Sequence, residues 1–279
     1  MSKYFFCSLA WLLLAGSMQA QIHVYNAAEP DSLPAKILHA EPLYIDLIRD
    51  LGAHKGEKEW NVGLGIIDNM DFDRYEALVE YEWAPIHRLG LEVEIPFSFY
   101  APNARDTGRD VPSDRIESLK MAAQWSFLVA PKARTTLALG MIHEWEFADL
   151  RGFEWRRPIH GLVFNPFFIA AKAWGQGFHS LVYTGPTYHH DVMHNHHKWS
   201  YELNSNVHYM LPGSRNFIGV EANKTWSGRG FDMTLRPQMR LSLADNLLVG
   251  IVGGIPVSRE NQRLSSFIRL IYEPSHSHR

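Results

Sequence analysis

Residues 89–100 read LGLEVEIPFSFY, and the fold turns on them. Leu89, Leu91, Val93, Ile95, Phe97 and Phe99 share one parity, and Gly90, Glu92, Glu94, Pro96 and Ser98 share the other. Alternate side chains of a strand point to opposite faces, so this segment has an oily face and a charged face. The pattern recurs on both sides of it. At 118–129, Leu119, Met121, Ala123, Trp125, Phe127 and Val129 oppose Lys120, Gln124 and Ser126. At 199–211, Trp199, Tyr201, Leu203, Val207 and Tyr209 oppose Glu202, Asn204, Asn206 and His208. At 231–243, Met233, Leu235, Met239 and Leu241 oppose Asp232, Thr234, Arg236, Gln238 and Arg240.

About twelve strands are predicted, near residues 59–68, 74–84, 89–100, 118–129, 135–147, 162–174, 178–188, 198–210, 216–226, 231–243, 247–257 and 263–273. Every second connection is short (HRLG, APKAR, GQG, PGSR, ADN). The others are mostly longer, namely 101–117, 148–161, HHDVMHNHH, WSGRG and SRENQ. A soluble sandwich also alternates. An even-numbered meander with short turns at one end and longer loops at the other is the pattern of a transmembrane barrel. The segments 162–174 and 178–188 alternate poorly, because Asn165 and Lys172 have opposite parities, and a bulge or a shifted boundary is expected there.

The chain has 279 residues, a formal net charge of −3 and nine Trp. That balance suggests no nucleic-acid partner. The start, MSKYFFCSLAWLLLAGSMQAQ, has the parts of a secretory signal: Lys3, an apolar run from Phe5 to Ala15, then small residues, with cleavage expected after Ala20. Cys7 is the single cysteine and lies within that run, so residues 21–279 have no disulfide, thiolate metal site or cysteine nucleophile. Beyond the signal no apolar stretch has the length of a membrane helix, so a membrane would be crossed by strands.

Residues 21–58 form a leader, expected in the periplasm. Within it, 42–51 (PLYIDLIRDL) reads as an amphipathic helix, with Pro42 in its first turn and Gly52 as its cap. Leu43, Tyr44, Leu47, Ile48 and Leu51 make one apolar face. A single stripe asks for one apolar partner surface, which favours the barrel's rim over a plug in the lumen. Residues 59–273 are the barrel and 274–279 a periplasmic tail.

The segment His39-Ala40-Glu41-Pro42-Leu43-Tyr44-Ile45-Asp46 resembles the defining signature of a bacterial family named for it, HAEPLYID. The likeness continues through Leu47–Ala53 and Lys55–Asn61. It implies an exported, barrel-like protein and supplies no catalytic residues.

If the apolar faces meet lipid, the lumen receives Glu76, Glu80, Glu82, Glu92, Glu94, Glu144, Glu146, Glu202 and Glu221, with Lys120, Arg236, Arg240 and Arg269. Two readings stand side by side: a dry core of paired charges, or a charged constriction that selects small polar or ionic solutes. His189, His190, Asp191, His194, His196 and His197 form a compositional metal hint, but on a mobile surface loop without fixed spacing. His143 falls on the lipid face, where a barrel lipase would keep its histidine; no serine at 141, 145 or 147 accompanies it.

The expectation is therefore an all-β, closed, antiparallel up-and-down transmembrane β-barrel in a Gram-negative outer membrane, preceded by a short amphipathic helix. A porin-like role for small polar solutes leads, with outer-membrane lipids as surroundings, no cofactor and no covalent chemistry. A closed structural or interaction barrel is the alternative, and a membrane-embedded lipid hydrolase the third.

Overall fold

The computed structural model describes residues 33–45, 51–102, 111–148, 158–259 and 262–274. The expected signal peptide lies outside them, as does most of the expected tail. Thirteen strands form a single sheet: β1 (Lys58–Asn69), β2 (Phe72–Ile86), β3 (Leu89–Pro102), β4 (Arg115–Ile116), β5 (Ser118–Ala130), β6 (Thr135–Phe147), β7 (Ile159–Trp174), β8 (Phe178–Asp191), β9 (His196–Met210), β10 (Phe217–Ser227), β11 (Gly230–Ala244), β12 (Leu247–Pro256) and β13 (Gln262–Tyr272). Every pairing is antiparallel, and β1 bonds both β2 and β13, so twelve long strands close on themselves. Closure leaves no edge whose N–H and C=O groups would need water. β4 is a two-residue addition on β3, inside the stretch read from sequence as loop.

Parity sorts the two faces as the sequence suggests. Leu64, Val79, Ile95, Val207, Ile251 and Ile268 point outward and are exposed. A soluble protein does not expose so continuous an apolar surface; a barrel in lipid must. Aromatic side chains gather at both ends of this band. Trp60, Trp125, Trp174 and Phe178 lie near the end that carries the β2–β3, β5–β6 and β7–β8 turns, and Tyr75, Phe99, Trp199 and Trp226 toward the opposite end. These are the two girdles expected where apolar rings with polar edges meet a headgroup layer.

Three expectations change. The tract HHDVMHNHH is a hairpin rather than a mobile loop: β8 runs to Asp191 and β9 begins at His196, with His190 opposite His197 and Asp191 opposite His196. WSGRG likewise closes as a tight turn between Ser227 and Gly230. β7 carries no internal bulge; its only irregularity lies at its outer end, opposite Glu146 and Phe147. Its poor alternation has another cause. Val163, Phe167, Ile169, Ala171 and Ala173 all point inward and are buried, so apolar residues occupy both faces there. Lys172 keeps the outward parity, at the short-turn end.

The lumen therefore has apolar walls as well as polar ones. One lies on β5–β8 (Ala122, Ala138, Ile142, Phe167, Ile169, Leu181, Tyr183), the other on β9, β10, β12 and β13 (Met210, Phe217, Leu248, Val252, Phe267, Ile271).

Candidate functional site: a leader lodged within the barrel

The leader occupies the space between those walls. Ile45 and Leu51 join the first, while Ala40, Leu43 and Tyr44 join the second. The expected place on the rim is thus corrected. Leu43, Ile45 and Leu51 find apolar partners inside, because β7, β8 and β12 turn Phe167, Ile169, Leu181, Leu248 and Val252 inward. Polar bonds fix the register. His39 Nε2 lies 2.9 Å from Thr136 Oγ1, His208 Nδ1 donates to Ala40 O (2.8 Å), and Leu43 N donates to Gln238 Oε1 (2.7 Å). Leu51 N donates to Glu41 Oε1 (2.9 Å) and Gly52 N to Ser126 Oγ (2.8 Å). Burial, aided by His179 and Arg134, pushes the His39 imidazole down to about 4. Residues 43–45 form a bend and not the first turn of a helix; positions 46–50 of the expected helix lie outside the described residues. Beyond the bend, Arg88 N donates to Ala53 O (2.6 Å) and Gly56 N to Ala84 O (2.8 Å), which returns the chain to the short-turn end and into β1.

The acids on β1–β3 form one network. Register sets Asn61, Glu80 and Glu94 in a row across β1, β2 and β3, and the row continues to Lys120 and Glu144 on β5 and β6. Glu82 and Glu92 are also directly opposed. Like charges at that spacing repel and need counter-groups. The Asn61 amide donates to Glu59 (2.8 Å), Glu80 (2.6 Å) and Glu82 (3.2 Å). Lys120 Nζ donates to Glu94 Oε1 (2.8 Å), and Arg269 Nη1 to Glu80 Oε1 (3.3 Å). Glu59 and Asn61 were missed in the sequence because they start a strand that alternates with glycines. Carboxylate oxygens of Glu80, Glu92 and Glu94 lie within 4.8 Å of one another, a spacing that suits a cation, yet Lys120 and Arg269 already engage two of the three.

The other lumen candidates find separate partners. Glu76 pairs with Arg74 (2.6 Å), Glu144 accepts from Ser118 Oγ (3.2 Å) and Glu146 bonds His189 (2.7 Å). Glu202 accepts from Thr187 Oγ1 (3.4 Å). Glu221 accepts from Asn223 (2.5 Å) and Gln238 (2.8 Å). Arg236 lies 3.2 Å over the Tyr44 ring and donates to Asn223 Oδ1 (2.7 Å) and Ser265 Oγ (3.3 Å). Arg240 is buried, donates to Arg215 O (3.1 Å) and sits over Phe217. The leader thus stands between the acids of β2–β3 and the arginines of β11.

Two cavities are bounded by described residues, and Tyr44 lines both. One, of about 350 Å³, is bounded by Arg74, Glu76, Glu94, Glu117, Lys120, Glu144, Glu146 and Arg269. The other, of about 310 Å³, is bounded by Glu202, Asn204, Asn223, Thr225, Asp232, Thr234 and Arg236.

The histidine tract does not converge. His189 points inward to Glu146, whereas His190 and His197 stack on the outer face, where His197 Nδ1 meets Tyr188 OH (2.7 Å). His194 meets Asp191 Oδ2 (2.9 Å) at the tip, and His196 lies opposite Asp191 on β9. His143 sits outward between Trp145 and Phe164, its Nδ1 2.9 Å from Val163 O.

A family model described as HAEPLYID-like matches residues 35–273. The chain belongs to the HAEPLYID-like family. Within the signature of this HAEPLYID-like chain, His39, Ala40, Glu41, Leu43 and Ile45 are buried. Among solved structures, the COG4313 outer membrane channel from Pseudomonas putida F1 is similar at 11% identity and a TM-score of 0.64, over 82% of this chain and 99% of that one. The NanC porin is similar at 7% identity and a TM-score of 0.54, over 77% and 98%. These likenesses show that the HAEPLYID-like fold is that of outer-membrane channel and porin barrels. No curated protein matches the chain.

Proposed function

We propose that this HAEPLYID-like barrel sits in the outer membrane, short turns toward the periplasm, and passes small polar solutes along a charged lumen narrowed by its leader. The observation that carries the reading is the 350 Å³ cavity enclosed by a closed barrel with an apolar outer face. That volume holds roughly ten waters. Three cationic and five carboxylate side chains line it, so the path favours cations over anions. The reading assigns the protein no covalent chemistry. The channel and porin likenesses support the barrel, and the solute class rests on the lining alone.

Reconstitution into planar bilayers tests it. Across a salt gradient the parent should give small steps with a cation-selective reversal potential. Tyr44→Ala, which removes the ring that borders both cavities, should enlarge the steps. Silence from both proteins, with the barrel intact, would favour the second reading, a closed structural barrel, for which the leader's burial speaks.

A further inference from the structure

We propose that the rim formed by the β5–β6 turn and the end of β7 binds the phosphodiester headgroup of an anionic phospholipid. The proposal rests on the reading of the barrel as membrane-spanning, and it adds a lipid site that the transport reading does not need.

Three cations share this part of the rim, since Thr135, next to the turn that carries Lys132 and Arg134, pairs with Lys172 across β6 and β7. Lys132 and Arg134 flank Ala133 in the turn between β5 and β6. Lys172 projects from the lipid-facing side of β7, but its Nζ is turned toward the rim, donating to Ala133 O (2.8 Å) and approaching Thr135 Oγ1 (3.4 Å). It also lies 4.9 Å over the Trp174 ring. This is the posture of a lysine whose stem lies on an apolar wall while its charge seeks the headgroup layer. The turn is held in place: Arg134 N donates to Pro131 O (3.0 Å), Ala173 N donates to Arg134 O (2.9 Å), and the Arg134 guanidinium donates to Gly175 O.

No carboxylate pairs with any of the three cations among the described residues. The turns 87–88, 131–134 and 175–177 contain no Asp or Glu. Elsewhere on the same rim, Lys36 pairs with Glu57 and Arg215 with Glu273. The positive charge at β5–β7 is thus a local excess, placed where lipid phosphates lie. Trp174 and Phe178, both about half exposed, continue the patch onto the lipid-facing wall. A free phosphate would cover the cations alone, whereas a phospholipid covers the cations and both rings, so a lipid is the occupant that fits. Each basic group at a charged surface is worth about 1 kcal/mol, so three give roughly a hundredfold preference over a zwitterionic lipid.

The test uses the full chain in vesicles of phosphatidylcholine doped with phosphatidylglycerol, followed by extraction in mild detergent and native mass spectrometry of retained lipid. The parent should retain phosphatidylglycerol over phosphatidylcholine by roughly a hundredfold. Lys132→Gln/Arg134→Gln/Lys172→Gln should bring that ratio near one, while Lys198→Gln/Arg229→Gln at the far end should leave it unchanged. Lys132→Gln alone touches an exposed side chain, so it keeps the barrel and should cost several-fold. An unchanged ratio in the triple variant overturns the proposal. So does displacement of the lipid by millimolar inorganic phosphate, or a crosslink from position 132 to a second copy in place of lipid. A parent that enters no vesicle removes the membrane reading itself, a failure distinct from insertion without lipid selectivity.

Discussion

At Gly250 a single atom decides whether the leader fits. A Cβ there would lie 2.8 Å from both methyl carbons of Leu43, which is almost fully buried and has nowhere to retreat. Gly250→Val should therefore lift the leader from β12 at a cost of about 1–3 kcal/mol, the usual range for overpacking. Faster proteolysis between residues 35 and 53, with unchanged barrel content by circular dichroism, is the expected outcome. His39 gives a pH-dependent counterpart. Its folded value of about 4 lies below the ordinary histidine value of 6.5. Above pH 6.5 both states are neutral and its seat is fully stable; as pH falls from 6.5 toward 4 only the released form gains a proton, and the seat weakens by about 3 kcal/mol. Leader protection measured by hydrogen exchange should fall over that window, and His39→Gln should remove its own share of the fall.

At the scale of the strand, β3 shows what the sequence makes legible. Val93 faces outward and Glu92 is buried in the lumen, as LGLEVEIPFSFY implies. Val93→Arg should cost assembly about 2–4 kcal/mol near the middle of the hydrocarbon, more than Glu92→Gln. Folded fractions on unboiled gels read the difference, and equal yields would reverse the parity. The twelve long strands and their faces were readable because lipid outside and polarity inside impose a period of two. β7 was not readable in the same way: an inward face made of Phe167, Ile169 and Ala171 has no period to detect. For the same reason the leader's seat was hidden, since its two walls are built from residues far apart in sequence. The partners of Glu80 and Arg236 were not readable, because Asn61 and Ser265 meet them only through register and closure, and Tyr44 only through the leader's seat. The histidine tract misled by composition, since alternation sends His189 and His190 to opposite faces of one strand.

At the scale of the whole molecule, closure and plugging give separate signatures. A barrel with its ladder complete should migrate faster before boiling than after, and identical migration would argue against closure. Arg236→Gln removes the guanidinium from the Tyr44 ring, where such a contact is worth roughly 0.5–2 kcal/mol. It should keep the heat-modifiable band, since Arg236 makes no contact that closes the ladder. It should also raise conductance above the parent's, in step with Tyr44→Ala. A variant that unfolds in less urea without any change in current would place Arg236 in the wall's own support and not in the path.

The hydrogen bond from Leu43 N to Gln238 spans 195 residues of chain, and the one from His208 to Ala40 spans 168. Both partners belong to strands in the second half of the chain, β11 and β9. The leader's other partners, Thr136 on β6 and Ser126 on β5, lie in the first half of the sheet. One short segment near the start of the chain therefore clasps both halves of the wall, and its bonds are complete only when those halves stand in register.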